Sequence, residues 1–166
     1  ADRPEIRGVL TDALVAVSHE CDFPAGVASK PRVTNCVIHG NELTSDATDA
    51  WVKERLKEAG SLYTIDEARL RALAPDVILT QGLCDVCAPS LDSVTEVAAR
   101  LPGPPRVVNL EPQSLADIFG NIRDCAAALD VVERGAAVVR DLERRIDAVR
   151  AAVAGAPVRR CVVLEW

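Results

Sequence analysis

Two short clusters concentrate the residues able to do chemistry. The first is Ser18-His19-Glu20-Cys21-Asp22, followed by Phe23-Pro24, and the second is Gln81-Gly82-Leu83-Cys84-Asp85-Val86-Cys87. Cys84 and Cys87 have the spacing of two ligands on one zinc ion, and a structural tetrahedron needs four. No second Cys-x-x-Cys occurs among the six cysteines, so His19 and Cys21 would have to complete a Cys₃His set. A thiol-redox pair is another reading. It wants the cysteines at a helix N-terminus, where the thiolate is stabilised, and Pro89-Ser90 ahead of a helix at Leu91 allows that. A disulfide, or two packed thiols that shape a loop, is the third. His19 as a neutral imidazole suits cobalt or zinc, and beside Glu20 and Asp22 it equally suits a simple carboxylate pair. Gln81 can donate to a ligand amide or carboxylate. The chain has no nucleophile elbow, phosphate loop or dinucleotide fingerprint, so it is read as a non-enzyme that requires no cofactor.

Apolar periodicity sets where these clusters sit. Ala13 to Val17 reads as a strand rich in β-branched residues that runs into His19 and its neighbours, and Phe23-Pro24-Ala25-Gly26 breaks it. Residues 25–45 read as a long connecting loop with turn signals at Lys30-Pro31 and Gly40-Asn41. A helix is expected from a Ser45 or Asp46 cap to Ala59, then an extended run at 62–65. Asp66 and Glu67 open a helix to Leu73, with charges that favour its dipole. Asp76 to Gln81 is the clearest buried strand and leads directly into the second cluster. A helix at 91–100, a strand at 106–110 and a helix from Ser114 to Leu129 follow, with Ser114 and Asp117 spaced as a capping box. Residues 131–154 read as a helix of roughly 35 Å with an apolar stripe at Val138, Leu142, Ile146, Val149 and Val153. Gly155-Ala156-Pro157 ends it, and 161–164 reads as a last strand.

Alternating strands and helices predict an α/β domain, a Rossmann-like lobe with a mainly parallel sheet. In such sheets ligands bind at the rim formed by the carboxyl ends of the strands, which is where both clusters fall. Cys36, Cys125 and Cys161 lie in or beside apolar stretches and are expected to pack as small apolar residues. His39, beside Gly40, is expected to be exposed.

Composition narrows the function classes. At 166 residues the chain is about one domain by length, with 49% apolar and 27% charged residues, which excludes disorder throughout. A net charge of −6 and only 3% aromatic residues disfavour a nucleic-acid partner. No apolar run reaches the length of a membrane span, and no signal peptide is visible. No methionine is present, so Ala1 is read as a processed start.

The segments together resemble the cobalamin-binding branch of the ABC-transporter substrate-binding proteins with a rigid helical backbone. The pieces that carry the resemblance are Leu14 to Pro24, Leu73 to Gln81, Leu83 to Ala88, Glu111 to Phe119 and Val163 to Trp166. They span most of the chain in the family's order. The resemblance implies two α/β lobes joined by one long helix, with a corrinoid or related metal chelate held non-covalently between them and delivered to an ABC permease. It implies a ligand rim of His19, Glu20, Cys21, Asp22, Phe23, Pro24, Gln81, Cys84 and Cys87. Asp66 and Glu67 lie near the family's acidic permease-docking position. A receptor reading places the protein outside the cytoplasm, whereas the lack of a visible signal peptide fits the cytoplasm.

Against that pattern, residues 1–130 are expected to form the first lobe and 131–155 the long helix. Residues 156–166 are expected as a strand of a second lobe, or as a strand completing this sheet. The family's opening strand is not visible ahead of Glu5. The expectation is that Arg160 to Glu165 takes its place, within the chain or from a second copy in a homodimer, because an open central slot invites aggregation. The rival to the receptor reading is a zinc or thiol-redox protein centred on His19, Cys21, Cys84 and Cys87.

Overall fold

The computed structural model describes residues 13–36, 44–59, 61–82 and 88–163. Its strands are β1 (Thr34–Cys36), β2 (Tyr63–Ile65), β3 (Val77–Thr80) and β4 (Arg106–Asn109). Its helices are α1 (Ser45–Ala59), α2 (Glu67–Leu73), α3 (Leu91–Arg100), α4 (Leu115–Ala128) and α5 (Val132–Val153). The class is mixed α/β, as the alternation predicts.

The apolar run at 77–79 makes β3, which pairs in parallel with β4, Val77 opposite Arg106 and Thr80 opposite Asn109. A parallel pair needs a crossover, and α3 supplies it. Ser90 caps α3 by accepting from the Ser93 N–H at 3.2 Å. Val94, Val97 and Ala98 of α3 are buried on one face. Val97 and Leu101 pack with Leu70 of α2, and Val33 and Ile65 close over them. This cluster ties the β1–β2 pair to α2 and α3.

Helix α4 begins as the spacing predicts. Ser114 Oγ accepts from the Asp117 N–H at 3.2 Å, and the Asp117 carboxylate accepts from the Ser114 hydroxyl at 2.8 Å and the Gln113 N–H at 3.1 Å. Those bonds, the Ser114 hydroxyl first, hold the Asp117 carboxyl below its ordinary 3.8. A depressed carboxyl stabilises the fold above its unfolded value and loses that contribution as pH falls through its lower folded value. We expect Ser114→Ala to cost about 1 kcal/mol in a urea titration at neutral pH. The deficit should shrink below pH 3.8 as Asp117 protonates; a deficit unchanged in acid would contradict the pairing.

Strand expectations near the N-terminus are corrected. The strand at 13–17 is reduced to one parallel bridge, Val17 opposite Arg32, flanked by 3.0 Å bonds from Val17 N–H to the Pro31 carbonyl and from Val33 N–H to the Val17 carbonyl. No strand among the described residues lies along Val15, which is 43% exposed. The loop at 25–45 contains β1, which pairs antiparallel with β2. Thr34-Asn35-Cys36 carries no alternating apolar pattern, so only its tertiary partner makes it a strand. The expected last strand is absent over its described residues: Val162 and Val163 are exposed and lie in no ladder. Cys161 is accordingly exposed rather than packed, whereas Cys36 is buried and Cys125 half-buried. Burial pushes the Cys125 thiol up.

Helix α5 falls inside the expected 131–155 span, but its seam differs. Gly135 and Val139 are its buried residues, packed on α4, while Val149 and Val153 are exposed. His39 lies outside the described residues, as do residues 1–12.

Candidate ligand-binding site

Three chain segments converge at one end of the β1–β2 pair. The Val17–Arg32 bridge brings the end of the first segment beside the approach to β1. Thr34, the first residue of β1, lies opposite Ile65, the last of β2. The residues that follow, Ser18-His19 on one side and Asp66 on the other, therefore share a rim. The Asp66 N–H donates to the Val33 carbonyl at 2.9 Å and closes it.

His19 is the centre of this rim. Its backbone N–H donates to Thr34 Oγ1 at 3.0 Å, and its Nδ1 lies 2.8 Å from the same oxygen. Its ring is tilted 40° against Tyr63, centroids 5.4 Å apart, and its Nε2 is 3.6 Å from Glu20 Oε1. The side chain is 13% exposed, so the imidazole is held on several sides with one edge open.

Arg32 braces the turn that carries His19. Its Nη1 donates to the Ser18 carbonyl at 2.7 Å and also to the Cys21 carbonyl. Arg69 Nη1 in turn donates to the Arg32 carbonyl at 2.8 Å. Between these groups lies an open cavity of about 500 Å³. His19, Arg32, Thr34, Thr64, Asp66 and Arg69 are among the residues that line it.

Tyr63 backs the site. Burial, then the Cys36 thiol bonded to it and the Glu20 charge, push its phenol above the ordinary 10.0. A raised phenol favours the fold below the unfolded value, and that contribution is lost as pH rises through the folded one. Tyr63 is the sole tyrosine, so a near-ultraviolet absorbance titration reads it alone. We expect a midpoint above 10.0 that falls in Cys36→Ala; a midpoint at or below 10.0 would place the phenol in water.

The other expected site residues fall as follows. The Cys21 thiol lies 3.2 Å from the Ser18 hydroxyl. Glu20 and Asp22 are exposed at the rim, and Phe23, joined to Pro24 by a cis peptide, is 77% exposed. Gln81 is exposed at the end of β3. At the ends of β3 and β4, Asn109 Nδ2 donates to Glu111 Oε1 at 2.7 Å, and both side chains lie against Gly82. Cys84 and Cys87 lie outside the described residues. Among the described residues no group of three or more His, Cys, Asp and Glu side chains is arranged to hold a metal. Of the expected Cys₃His set, His19 Nδ1 meets Thr34 and the Cys21 thiol meets Ser18. Asp66 caps α2, accepting from the Arg69 N–H at 2.9 Å, and Glu67 accepts from Arg71 at 2.9 Å and from Arg100 at 3.1 Å. Both acids therefore have partners inside the fold.

Sequence reasoning missed Arg32, Thr34, Tyr63 and Arg69. The signal available was the unique tyrosine in the extended run Leu62-Tyr63-Thr64-Ile65, one side chain of which had to face the rim.

No family model matches the chain, and no curated protein matches it. Among solved structures it is similar to the periplasmic heme-binding protein BhuT in complex with two hemes, with a TM-score of 0.57 and 20% sequence identity. The alignment covers 85% of this chain and 41% of that one. The two share a fold, and this chain spans less than half the length of that protein.

Proposed function

We propose that the chain is the first lobe and connecting helix of an ABC-importer substrate-binding receptor, and that it holds a metal tetrapyrrole non-covalently at the His19 rim. The observation that carries this reading is the position of the cavity. It opens beside the His19 imidazole where the start of β1 meets the end of β2, on a fold shared with a heme-binding protein. The sequence resemblance favours cobalamin, and the structural neighbour's ligand is heme. Both are flat macrocycles whose metal accepts an axial nitrogen. His19 suits that role through Nε2, with Nδ1 anchored on Thr34, because a ligating histidine is normally oriented by a bond at its other nitrogen. Phe23, four residues along the chain and largely exposed, would offer an apolar surface to the ring. The work is capture and release to a permease outside the cytoplasm, with no bond made or broken in the ligand's framework.

An absorbance titration with hemin and with hydroxocobalamin tests the reading. We expect saturable one-to-one binding of at least one of them, with a dissociation constant in the micromolar range or below. Absence of saturable binding by both would overturn it.

A further inference from the structure

Arg32 is half-buried at the cavity, on a chain whose net charge is −6. Guanidinium carries its donors in a rigid fork. Here Nη1 is spent on the Ser18 and Cys21 carbonyls, which fixes the plane and leaves the donors on Nε and Nη2. Its neighbour Arg69 is paired with Asp66 at 3.5 Å, so those two charges offset each other. Among the described residues no carboxylate pairs with Arg32. A partly desolvated cation held rigid by carbonyls and lacking a counter-ion is a receptor for an anion.

We propose that Arg32 is an anion subsite that takes a peripheral oxyanion of the ligand while the macrocycle's metal sits at His19. The inference rests on the receptor reading above and adds the ligand's charge to it. Two oxyanions fit the chemistry: a carboxylate of a metalloporphyrin, or the phosphodiester of cobalamin's nucleotide loop. Both accept two parallel N–H bonds from one guanidinium, which a neutral amide cannot do as strongly.

The test changes the ligand and leaves the protein intact. The chain is titrated with hemin and its dimethyl ester, and with hydroxocobalamin and cobinamide, which lacks the nucleotide loop. We expect the member that carries the oxyanion, in one of the pairs, to bind on the order of 10- to 100-fold tighter than the member that lacks it, with the gap narrowing as salt is raised. A gap in the hemin pair identifies a carboxylate, and one in the cobalamin pair a phosphodiester; either supports the subsite. In Arg32→Gln, checked for native circular dichroism, the same gap should collapse. Equal binding within both pairs would overturn the anion subsite and leave the receptor reading standing. No binding by any of the four would overturn both.

Discussion

Gly135→Ala is expected to destabilise the chain by about 2 kcal/mol, although alanine is the better helix former. Helices α4 and α5 form an antiparallel hairpin joined by Leu129 to Val131, with Asp130 in the left-handed region at φ 55°. Arg123 and Glu143 pair across it at 3.7 Å. At its closest approach Gly135 is buried, and a Cβ there would overlap the Ala126 Cβ and lie 3.4 Å from the Ile122 carbonyl oxygen. That oxygen and Cβ belong to helix α4, so relief requires the helices to part. Val139, 1% exposed one turn further along, would lose its packing with them. In an isolated helix the same substitution gains about 1 kcal/mol, so the sign of the change separates the two situations. Urea denaturation followed by circular dichroism reads it, and a stabilised Gly135→Ala variant would contradict the packing of this hairpin.

That hairpin also shows how far the sequence reaches. The bounds of α2, α3 and α5 follow from caps and breakers: Asp66, Ser90, Pro75 and the Gly155-Ala156-Pro157 run act within one turn of the residues they affect. The α5 seam does not follow. A stripe of large apolar side chains points to Val149 and Val153, but contact with α4 depends on the smallest residue in the helix, and a glycine registers in no hydrophobic pattern. The site is split in the same way. His19 stands out because its chemistry is local, and it follows an apolar run whose end bridges to Arg32. Arg32 and Thr34 become site residues only through the bridge of Val17 to Arg32, and Tyr63 only through the pairing of β1 with β2, between segments some thirty residues apart. Thr34-Asn35-Cys36 is too polar and too short to announce that pairing.

The second large effect concerns His19. If its Nε2 holds the ligand's metal, His19→Ala should weaken hemin or hydroxocobalamin binding on the order of 100-fold or more, since loss of an outer-shell partner alone costs 10- to 100-fold. Thr34→Val removes the oxygen that both the His19 N–H and Nδ1 meet, and should fall in that smaller range. The two variants differ in a way that mere structural damage would not produce. Thr34→Val should retain the spectrum of an imidazole-ligated metal at saturation, and His19→Ala should lose it, with free imidazole restoring the band. Unchanged affinity and an unchanged spectrum in His19→Ala would remove His19 from the site.

The most direct test of the account is amide hydrogen exchange on the chain with and without saturating hemin or hydroxocobalamin. The rim at 18–22, the start of β1 and the end of β2 through Arg69 should become protected together, because they close one cavity. The α4–α5 hairpin should exchange as before. Protection confined to the hairpin or to the exposed segment 154–163, with the His19 rim unaffected, would contradict the placement of the ligand at this rim.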